Sequence, residues 1–378
     1  MVFKEKVPAI PSWLLHTILL ACSIGLVSCA PPEPIRLGFV GGLSGRVADL
    51  GIDGRDGARL AVELRNKAGG VKGRRVELLV EDDQQDPAVA RKVVTKLIDL
   101  KVSAIIGPMT SAMATVTVPL ANQAQVVMMS PTVTTNALTG LDDYFFRVLA
   151  ATRRFAQKSA DYHYRHIGLH RVVAVSDLHN KSYTQSWLED YRDAFTAAGG
   201  VVLDTIGFSS GEGNHFADLA RQILSSKPDG VLILANSVDA AMLCQHLRKL
   251  DPAISIATSE WAATERLIEL GARAVEGVVV AQFLDRQSTQ MTYFEFRRDY
   301  LDSFGREPGF SGLTAFDATN VILEGMAHQA SGQTLKQTLL SHKKFSGAQT
   351  PVIFDAFGDT SRETYLSTIK DGAFVVLH

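Results

Sequence analysis

The sequence predicts an α/β protein built from two doubly wound parallel sheets. Apolar runs alternate with helical patterns along most of the chain, the runs are continuously apolar, and the series starts again near residue 171. Continuously apolar strands are buried on both faces, which is typical of parallel sheets covered by crossover helices. One open sheet of ten strands is the alternative, but two lobes of similar build agree better with the usual size of sheets and domains.

The part of the chain before residue 150 is expected to supply five strands. They are the segments 35–42, 75–83, 104–108, 126–131 and 144–148. Helices are expected over 56–70, from Asp86-Pro87 to about Leu100, and from about Thr152. The second of these has a clear start, because Asp86 suits the N-cap and Pro87 suits the first helical position.

The second series is expected to contain five more strands before residue 285. They are the segments 171–177, 201–208, 230–235, 255–260 and 277–283, separated by helices near 183–198, 215–227, 238–250 and 263–271. Helical patterns resume at 292–305 and 314–330, and strand-like pieces follow at 351–355, 364–370 and 373–377. Strand–helix–strand repetition of this kind joins parallel strands through crossovers.

The composition is that of a globular protein without a nucleic-acid partner. The 378 residues include 46 % hydrophobic residues and carry a formal net charge of −2. The lysines and arginines are scattered, whereas phosphate binding needs a clustered basic surface. The motifs GxSxG, HExxH, paired CxxC and the P-loop do not occur in the sequence. We therefore expect a protein that is not an enzyme and that has no cofactor and no metal site.

Two polar segments could bind a metal ion, but a simpler interpretation is favoured for each. The segment HYRHIGLH, residues 163–170, contains three histidines before a predicted strand and is expected on a loop surface. Asp82-Asp83 ends a predicted strand, and packing against the following loop is favoured over cation binding. Cys244 falls in a helical pattern and is expected to be a buried apolar side chain.

The N-terminus has the pattern of an export signal. MVFKEK is followed by a run without Asp, Glu, Lys or Arg up to Cys29, and then by APPEP. This pattern predicts a signal peptide over residues 1–28, and an uncleaved membrane anchor is the alternative. The sequence Leu26-Val27-Ser28-Cys29 resembles the bacterial lipobox, in which the cysteine carries the lipid and becomes the first residue of the mature protein.

Small polar residues follow two neighbouring strands at their carboxyl ends. PMTSAMAT continues the strand 104–108, and SPTVTTN continues the strand 126–131. Ligands of doubly wound sheets bind beyond the carboxyl ends of the strands, and hydroxyls together with the N–H groups of a helix N-terminus suit a carboxylate. Capping of the following helices is the alternative for any single hydroxyl, but two clusters at one edge favour a ligand.

Glu260 is an acidic residue directly at the end of an apolar strand, beside Trp261. A carboxylate at that place could pair with the ammonium group of a ligand. The alternative is a carboxylate that is stabilised by the positive end of a helix dipole, and the two roles are compatible.

The motifs of residues 38–90 resemble the opening of bacterial solute-binding proteins of the branched-chain amino acid (Leu/Ile/Val-binding) type, which serve ABC transporters. The matching features are the LSG loop, GARLAVE, GGVKG and DDQQDP. IIGPMTSAMA, MMSPTVTTN, SDLHNKSY and TSEWAATERLIEL continue the resemblance, which covers about residues 35–375. It implies a type I periplasmic-binding fold whose two Rossmann-like lobes are joined by three crossovers. Lobe one would comprise 35–151 plus 284–361, and lobe two 152–283 plus 362–378.

The resemblance also implies a ligand site in the cleft between the lobes. The expected ligand-binding residues are Ser111 and Thr134 for the α-carboxylate with backbone groups of Thr132, Glu260 for the α-ammonium, Tyr183 over the ligand, and Met109 and Leu50 near its side chain. The loop around Ser237–Asp239 departs from the family pattern because it has no aromatic residue, and Thr110 stands where some members have a disulfide cysteine.

The resemblance implies a binding protein that captures an amino acid, branched-chain or otherwise apolar, by cleft closure and delivers it to the permease subunits of an ABC importer. An exported monomer, held at the membrane by lipid on Cys29, is expected, in the periplasm or on the outer face of the cell membrane. Two alternatives stay open: a ligand-sensing receptor of the same fold, or a binder of an amide or aromatic acid.

Overall fold

A computed structural model of the chain describes residues 1–3, 32–211 and 215–377. The compact body comprises Pro34–His378. The predicted signal peptide and Cys29 lie outside the described residues. Among the residues that are described, no helix combines the length and the apolar character needed to cross a membrane.

The first sheet contains five parallel strands. They are β1 Ile35–Gly41, β2 Val76–Asp82, β3 Ala104–Ile106, β4 Val127–Ser130 and β5 Phe145–Arg147, in the order β2-β1-β3-β4-β5. Helices α1 Ala48–Lys67, α2 Pro87–Asp99 and α3 Ser111–Ala124 connect them. The order reverses between β1 and β3, which opens a crevice at the carboxyl ends of these strands.

The second sheet contains seven strands in the order β14-β13-β10-β9-β8-β6-β7. They are β6 Arg171–Asp177, β7 Val201–Phe208, β8 Gly230–Leu234, β9 Ser255–Thr258, β10 Val279–Gln282, β13 Tyr365–Lys370 and β14 Ala373–Leu377. Strands β6 to β10 are parallel, whereas β13 and β14 add to the edge of the sheet in antiparallel orientation. The connecting helices are α4 Thr152–Tyr162, α5 Lys181–Ala197, α6 Phe216–Ser225, α7 Ser237–Leu250 and α8 Glu265–Gly271.

The remaining elements return to the first sheet. They are α9 Met291–Phe304, α10 Phe310–His328, α11 Leu335–His342 and the short antiparallel pair β11 Lys344–Phe345 and β12 Val352–Ile353. Helix α10 packs along α1 and is buried over most of its length. The chain therefore passes between the sheets three times, after β5, after β10 and after β12. The predicted α/β fold with two lobes of parallel sheet is confirmed.

The predicted start of the first helix is wrong by eight residues, because α1 begins at Ala48 and contains the glycines of GIDGRDG. A Cβ on Gly51 would lie 2.0 Å from the carbonyl oxygen of Gly42, and one on Gly57 would lie 2.0 Å from that of Gly312. These glycines thus allow close backbone approach within a helix instead of breaking it.

The expected loop surface at 163–170 is also wrong in its first half. Residues His163–Ile167 continue α4 as one wide helical turn, and His163 is buried. Its Nδ1 lies 3.0 Å from the hydroxyl of Tyr191, and burial lowers the pKa of His163 to about 3. The histidine was expected at the surface because a Gly follows so closely, but Gly168 ends the turn in left-handed conformation at φ 81°.

Helix α11 was not predicted, although its start carries a signal. The hydroxyl of Thr334 accepts from the backbone N–H of Gln337, and the side chain of Gln337 accepts from the backbone N–H of Thr334. This reciprocal pair is the capping box that a Thr-x-x-Gln pattern indicates. At the start of α2 the predicted cap is confirmed, since Asp86 Oδ1 accepts from the backbone of Ala88 and Val89.

Candidate functional site

A small cavity lies between the carboxyl ends of the two sheets. Its lining comes from the segments that follow β1, β3, β4, β6, β9 and β10 and from the start of α10: Leu50, Met109, Thr110, Ser111, Thr132, Asn180, Tyr183, Glu260, Trp261, Phe283 and Phe310. Six of the seven predicted ligand residues are in this lining. The seventh, Thr134, is 1 % exposed and lies close enough to Glu260 to influence its pKa.

The hydroxyls that follow β3 and β4 divide into two groups. Ser130 Oγ donates to the carbonyl of Pro108, Thr135 Oγ1 accepts from the backbone of Ala137, and Thr132 Oγ1 donates to the carbonyl of Met109 at 2.5 Å. These three hydroxyls have partners within the protein, and Thr135 caps the short helix that follows it, as the capping interpretation expects. Ser111 Oγ and Thr134 Oγ1 are buried and have no hydrogen-bond partner within the described chain.

Glu260 forms the opposite wall of the cavity and is 3 % exposed. Its Oε2 accepts from the indole Nε1 of Trp187 at 2.9 Å, while its Oε1 is buried without a partner among the described residues. Burial raises the pKa of the Glu260 carboxyl to about 7. The backbone N–H of Glu260, the indole of Trp187 and the nearby hydroxyls of Tyr183 and Thr134 stabilise the carboxylate and make this rise smaller. The carboxyl therefore titrates near neutral pH, which is unusual for glutamic acid.

Three buried atoms without a partner among the described residues are called here the open atoms: Ser111 Oγ and Glu260 Oε1 in the lining, and Thr134 Oγ1 next to Glu260. A buried polar atom without a partner costs roughly 1–3 kcal/mol relative to a satisfied one. Such atoms in native structures therefore indicate a missing partner. Wider depressions elsewhere on the surface, such as the one beside Lys72 and Lys336, contain none of the open atoms.

Tyr183 and Trp261 form the lobe-two part of the lining beside Glu260. Their rings meet edge to face with centroids 5.7 Å apart. The Tyr183 hydroxyl and the Trp261 Nε1 are also buried and lack a partner in the part of the chain that the structure describes. Burial, with the adjacent Glu260 carboxyl, raises the pKa of Tyr183 well above its ordinary value, so its hydroxyl stays protonated and can donate.

Apolar side chains close the rest of the cavity. They are Leu50 and Met109, which were predicted, and Phe283 and Phe310, which were not. Phe283 is the last residue of the predicted strand 277–283, so its position at the edge that binds ligands could have been predicted from the sequence. Phe310 was missed because the helix was expected to begin only at 314, whereas α10 begins at Phe310.

Phe310 is held by a buried carboxylate on another helix. Asp53, on α1, accepts from the backbone N–H groups of Gly309 and Gly312 at 3.2 and 2.5 Å and from Ser311 Oγ at 2.7 Å. The carboxylate thus caps the N-terminus of α10, where backbone N–H groups have no helical partner. This cap fixes the first residues of α10 at the wall of the cavity.

Around the cavity, polar groups of the two predicted lobes pair directly. Asp49 Oδ2 accepts from Ser237 Oγ and from Thr264 Oγ1, both at 2.6 Å. Arg46 pairs with the buried Asp239 at 2.5 Å. On the other side, Asn180 Oδ1 accepts from the backbone N–H of Ala112 at 2.9 Å, and Asn136 donates to Asp190 at 2.6 Å. We call these contacts the rim.

The rim explains the departure of the Ser237–Asp239 loop from the family pattern. Where an aromatic residue was missing, Asn236 caps the start of α7 by accepting from the backbone N–H of Asp239. The carboxylate of Asp239 accepts from Asn236 Nδ2 and from Arg46. Thr110, at the place of the family cysteine, pairs with the side chain of Gln85 at 2.9 Å. Both loops are therefore fixed by hydrogen bonds in place of an aromatic contact or a disulfide.

The other polar segments are accounted for by local structure. Asp82 accepts from the backbone N–H of Leu43 and from Ser44 Oγ, both at 2.8 Å, which agrees with packing of this strand end against a loop. Burial raises the pKa of Asp83 to about 6. Cys244 is buried as expected, and burial raises the pKa of its thiol to about 12.

The predicted absence of a metal site stays a prediction. Glu324, His328 and His342 bring their donor atoms within 4.8 Å of one another on α10 and α11. The two imidazole rings stack at 4.6 Å with an angle of 17°, and both histidines are exposed. Stacking of two rings at helix C-termini accounts for this cluster without an ion.

Two curated relatives are named as amino acid binding proteins. The Leu/Ile/Val-binding protein BraC3 of Rhizobium johnstonii is 23 % identical over 354 residues, which cover 92 % of this chain and 95 % of that protein. Leu/Ile/Val-binding protein homolog 3 of Brucella melitensis is 26 % identical over 236 residues, 62 % of this chain and 63 % of that protein. The second match thus spans less than two thirds of the relative.

Solved structures of two binding proteins share the fold. The branched-chain amino acid transporter substrate binding protein LivJ from Streptococcus pneumoniae, in complex with isoleucine, has a TM-score of 0.84 at 22 % identity, over 91 % of this chain and 99 % of that one. An ABC transporter solute binding protein from R. palustris, in complex with benzoate, has a TM-score of 0.83 at 20 % identity, over 91 % of this chain and 96 % of that one. The model of the periplasmic binding protein family matches residues 34–373. With nearly the whole compact body matched, the chain belongs to the periplasmic binding protein family.

Proposed function

We propose that this protein captures an α-amino acid with an apolar side chain and delivers it to the permease of an ABC importer. The observation that carries the proposal is that Ser111 Oγ and Glu260 Oε1 lack partners in the lining of one cavity, with Thr134 Oγ1 equally unpartnered beside Glu260. Ser111 Oγ and Thr134 Oγ1 suit the α-carboxylate, and Glu260 Oε1 suits the α-ammonium. A zwitterion would satisfy all three atoms at once.

The apolar wall supports the choice of side chain. Leu50, Met109, Phe283 and Phe310 line the cavity, and Glu260 is the one acidic or basic residue in its lining. A charged ligand side chain would have no counter-ion there and would carry a desolvation cost of several kcal/mol.

The same geometry supports binding by cleft closure as part of the proposal. The open atoms belong to segments of both predicted lobes, so a ligand reaches all of them only when the lobes meet. The rim contacts would form at the same time, and the three chain passages between the sheets would act as the hinge. The relatives named Leu/Ile/Val-binding proteins and the isoleucine complex agree with this ligand class.

An aromatic carboxylic acid is the second candidate ligand. The benzoate complex of the R. palustris protein and the rings of Phe283, Phe310 and Trp261 favour it. With a pKa of about 7, Glu260 would be protonated in part at neutral pH and would then donate a hydrogen bond to an acid instead of repelling it. The two candidates differ in the charge that Glu260 needs, and pH therefore separates them.

Lipid anchoring at Cys29 and an extracytoplasmic place are part of the proposal. Cys29 and the segment 1–28 support it through their sequence pattern alone. Replacing Cys29 with Ser should release the exported protein from the membrane fraction, whereas retention of the variant would contradict the anchor. The protein is expected to be a monomer. If it is instead a sensory receptor with a different partner, deletion of its gene should leave solute uptake unchanged although the protein binds the ligand.

The experiment that tests the proposed function uses the chain from Ala30 onward. Its melting temperature is recorded with the twenty amino acids, small amides, benzoate and 3,4-dihydroxybenzoate, one at a time. A ligand at about 100 times its Kd adds about 2.7 kcal/mol to the free energy of unfolding, which is readily measured. A shift limited to leucine, isoleucine, valine or similar amino acids supports the proposal. A shift limited to aromatic acids would replace it with the second candidate.

A further inference from the structure

Trp187 lies behind Glu260 and reaches the cavity wall through one hydrogen bond. It is a residue of α5, and its Nε1 donates to Glu260 Oε2 at 2.9 Å across 73 residues of sequence. The indole is 0 % exposed and stacks on Tyr191, which in turn stacks on Phe195, with interplanar angles of 21° and 18°. This aromatic column fixes the direction in which the indole N–H points.

An indole N–H can only donate, and this decides how Glu260 presents its two oxygens. Oε2 must be an acceptor, either as part of the carboxylate or as the carbonyl oxygen of the acid. Oε1 is then the oxygen that carries the proton when the side chain is neutral. It is also the open atom of the cavity wall.

We propose that Trp187 is a positioning residue that holds Glu260 Oε2 and thereby turns Oε1 to the ligand. Trp187 does not line the cavity and so has no contact with a ligand itself. Its second effect is on protonation, since a donor to the carboxylate favours the charged form. The part of the inference that concerns ligand affinity rests on the proposed function, but the effect on Glu260 does not.

None of the charged or titratable groups named next is a cation that pairs with Glu260. Tyr183 faces the carboxyl from α5 and is neutral. Glu265, on α8, is paired with Arg286, and Asp49, on α1, accepts from two hydroxyls of the rim. Burial raises the pKa of Glu260, and the groups that oppose this rise are hydrogen-bond donors rather than cations. Removing one of these donors should therefore have a measurable effect.

The test compares Trp187→Phe with Tyr191→Phe in the ligand-free protein. The first variant keeps an aromatic ring in the column and loses the N–H. The control loses a buried hydrogen bond to His163 from the same column without touching Glu260. Glutamate labelled with ¹³C at the carboxyl carbon reports the pKa of Glu260, which is assigned through Glu260→Gln. We expect the pKa to rise by about one pH unit in Trp187→Phe and to stay unchanged in Tyr191→Phe.

A second readout needs no Trp187 variant and covers the case in which Trp187→Phe does not fold. The indole ¹H–¹⁵N signal of Trp187 in the wild-type protein should titrate with the same midpoint as the Glu260 carboxyl. It should stop titrating in Glu260→Gln. An indole signal that is independent of pH between 5 and 9, or an unchanged Glu260 pKa in a folded Trp187→Phe protein, would overturn the inference.

Ligand affinity then separates the inference from the proposed function. With leucine as probe, Trp187→Phe should weaken binding about tenfold at pH 6.5 and less at pH 8.5, where Glu260 is ionised in both proteins. Equal weakening at both pH values would reduce Trp187 to a structural role. If wild-type protein binds no amino acid, the proposed function fails, and the carboxyl and indole titrations still decide the inference.

Discussion

The cavity wall and the rim are both polar, both buried in part and formed by the same loops, yet they differ in one respect. At the rim, Asp49, Asp239 and Asn180 all have hydrogen-bond partners from the opposite lobe. At the cavity wall, Ser111 Oγ and Glu260 Oε1 have none that the described chain supplies. Within the described residues, the rim groups thus have partners, whereas the groups that would meet a ligand under the proposed function do not.

This difference separates two contributions to affinity. Open atoms acquire partners only from the ligand, so their loss should depend on which ligand is bound. Rim contacts form in the closed protein whatever the ligand is, so their loss should weaken every ligand by the same factor. Measuring the affinity of each variant for two ligands therefore distinguishes variants of the cavity wall from variants of the rim.

The largest effect is expected for Glu260→Gln. The change keeps the shape and removes the charge that would pair with an ammonium group. We expect leucine binding to weaken about 100-fold, because truncating one partner of a buried charge pair costs several kcal/mol. Calorimetric titration at pH 8 measures it. An affinity within threefold of the wild type would show that Glu260 does not bind the ammonium.

A smaller loss is expected for Ser111→Ala and Thr134→Ala. Each variant removes one neutral donor to the carboxylate, which should weaken leucine binding about tenfold. Thr117→Ala is the matched control, since Thr117 is a buried hydroxyl of the same helix as Ser111 and donates to the carbonyl of Met113 at 2.8 Å. The control should lower the melting temperature and leave Kd unchanged. Equal Kd values for all three variants would contradict the carboxylate fork.

Asp49→Ala should weaken binding by about threefold to tenfold through the rim. Two hydroxyls of the opposite lobe lose their acceptor, and the closed form loses stability by about 0.7–1.4 kcal/mol. The factor should be the same for leucine and for valine, unlike the factors for the cavity variants. Small-angle scattering without ligand should show a more open protein. A factor that differs between the two ligands would place Asp49 in the site instead.

The smallest effect is expected for Arg46→Ala. The Arg46 side chain is 37 % exposed, and its partner Asp239 keeps hydrogen bonds from Asn236 and Ser210. Partly exposed pairs contribute little and are screened by salt, so the affinity should fall by no more than about twofold, and by less at high salt. If Arg46→Ala weakened binding as much as Asp49→Ala, the Arg46–Asp239 pair would stabilise the closed form more than the exposure of Arg46 indicates.

Much of the fold and the site could be predicted from sequence. The alternation of apolar runs with helices placed the strands of both sheets, and the strand ends then indicated where Ser111, Thr132 and Glu260 meet. This worked because the carboxyl ends of parallel strands share one edge, so the position of a residue in the pattern determines its place in the fold.

The rest depends on contacts between distant parts of the chain. Trp187 reads as one more core aromatic of α5, and its bond to Glu260 spans 73 residues. Phe310 begins α10 because Asp53, more than 250 residues earlier, caps that helix. The helix was expected to begin only at residue 56, although Gly51 and Gly57 lie within α1 and allow other backbones to approach it closely. Local patterns contain none of this information.

The most direct test of the central claim is the pH dependence of leucine binding to the wild-type protein. Burial raises the Glu260 pKa from 4.5 to about 7, so the ligand-free protein holds a proton that the unfolded chain releases, and its stability falls as pH rises towards 7. An ammonium ligand needs the carboxylate, so its affinity is present above pH 7 and is lost as pH falls below it. Free leucine itself stays zwitterionic across this range.

Calorimetric titrations at pH 6 and pH 8, each in two buffers of different ionisation enthalpy, give both the affinity and the proton exchange. We expect leucine to bind several-fold more tightly at pH 8 and to release up to one proton at pH 6, with both effects lost in Glu260→Gln. An affinity independent of pH without proton release, or tighter binding of benzoate than of leucine at pH 6, would contradict the pairing of Glu260 with a ligand ammonium.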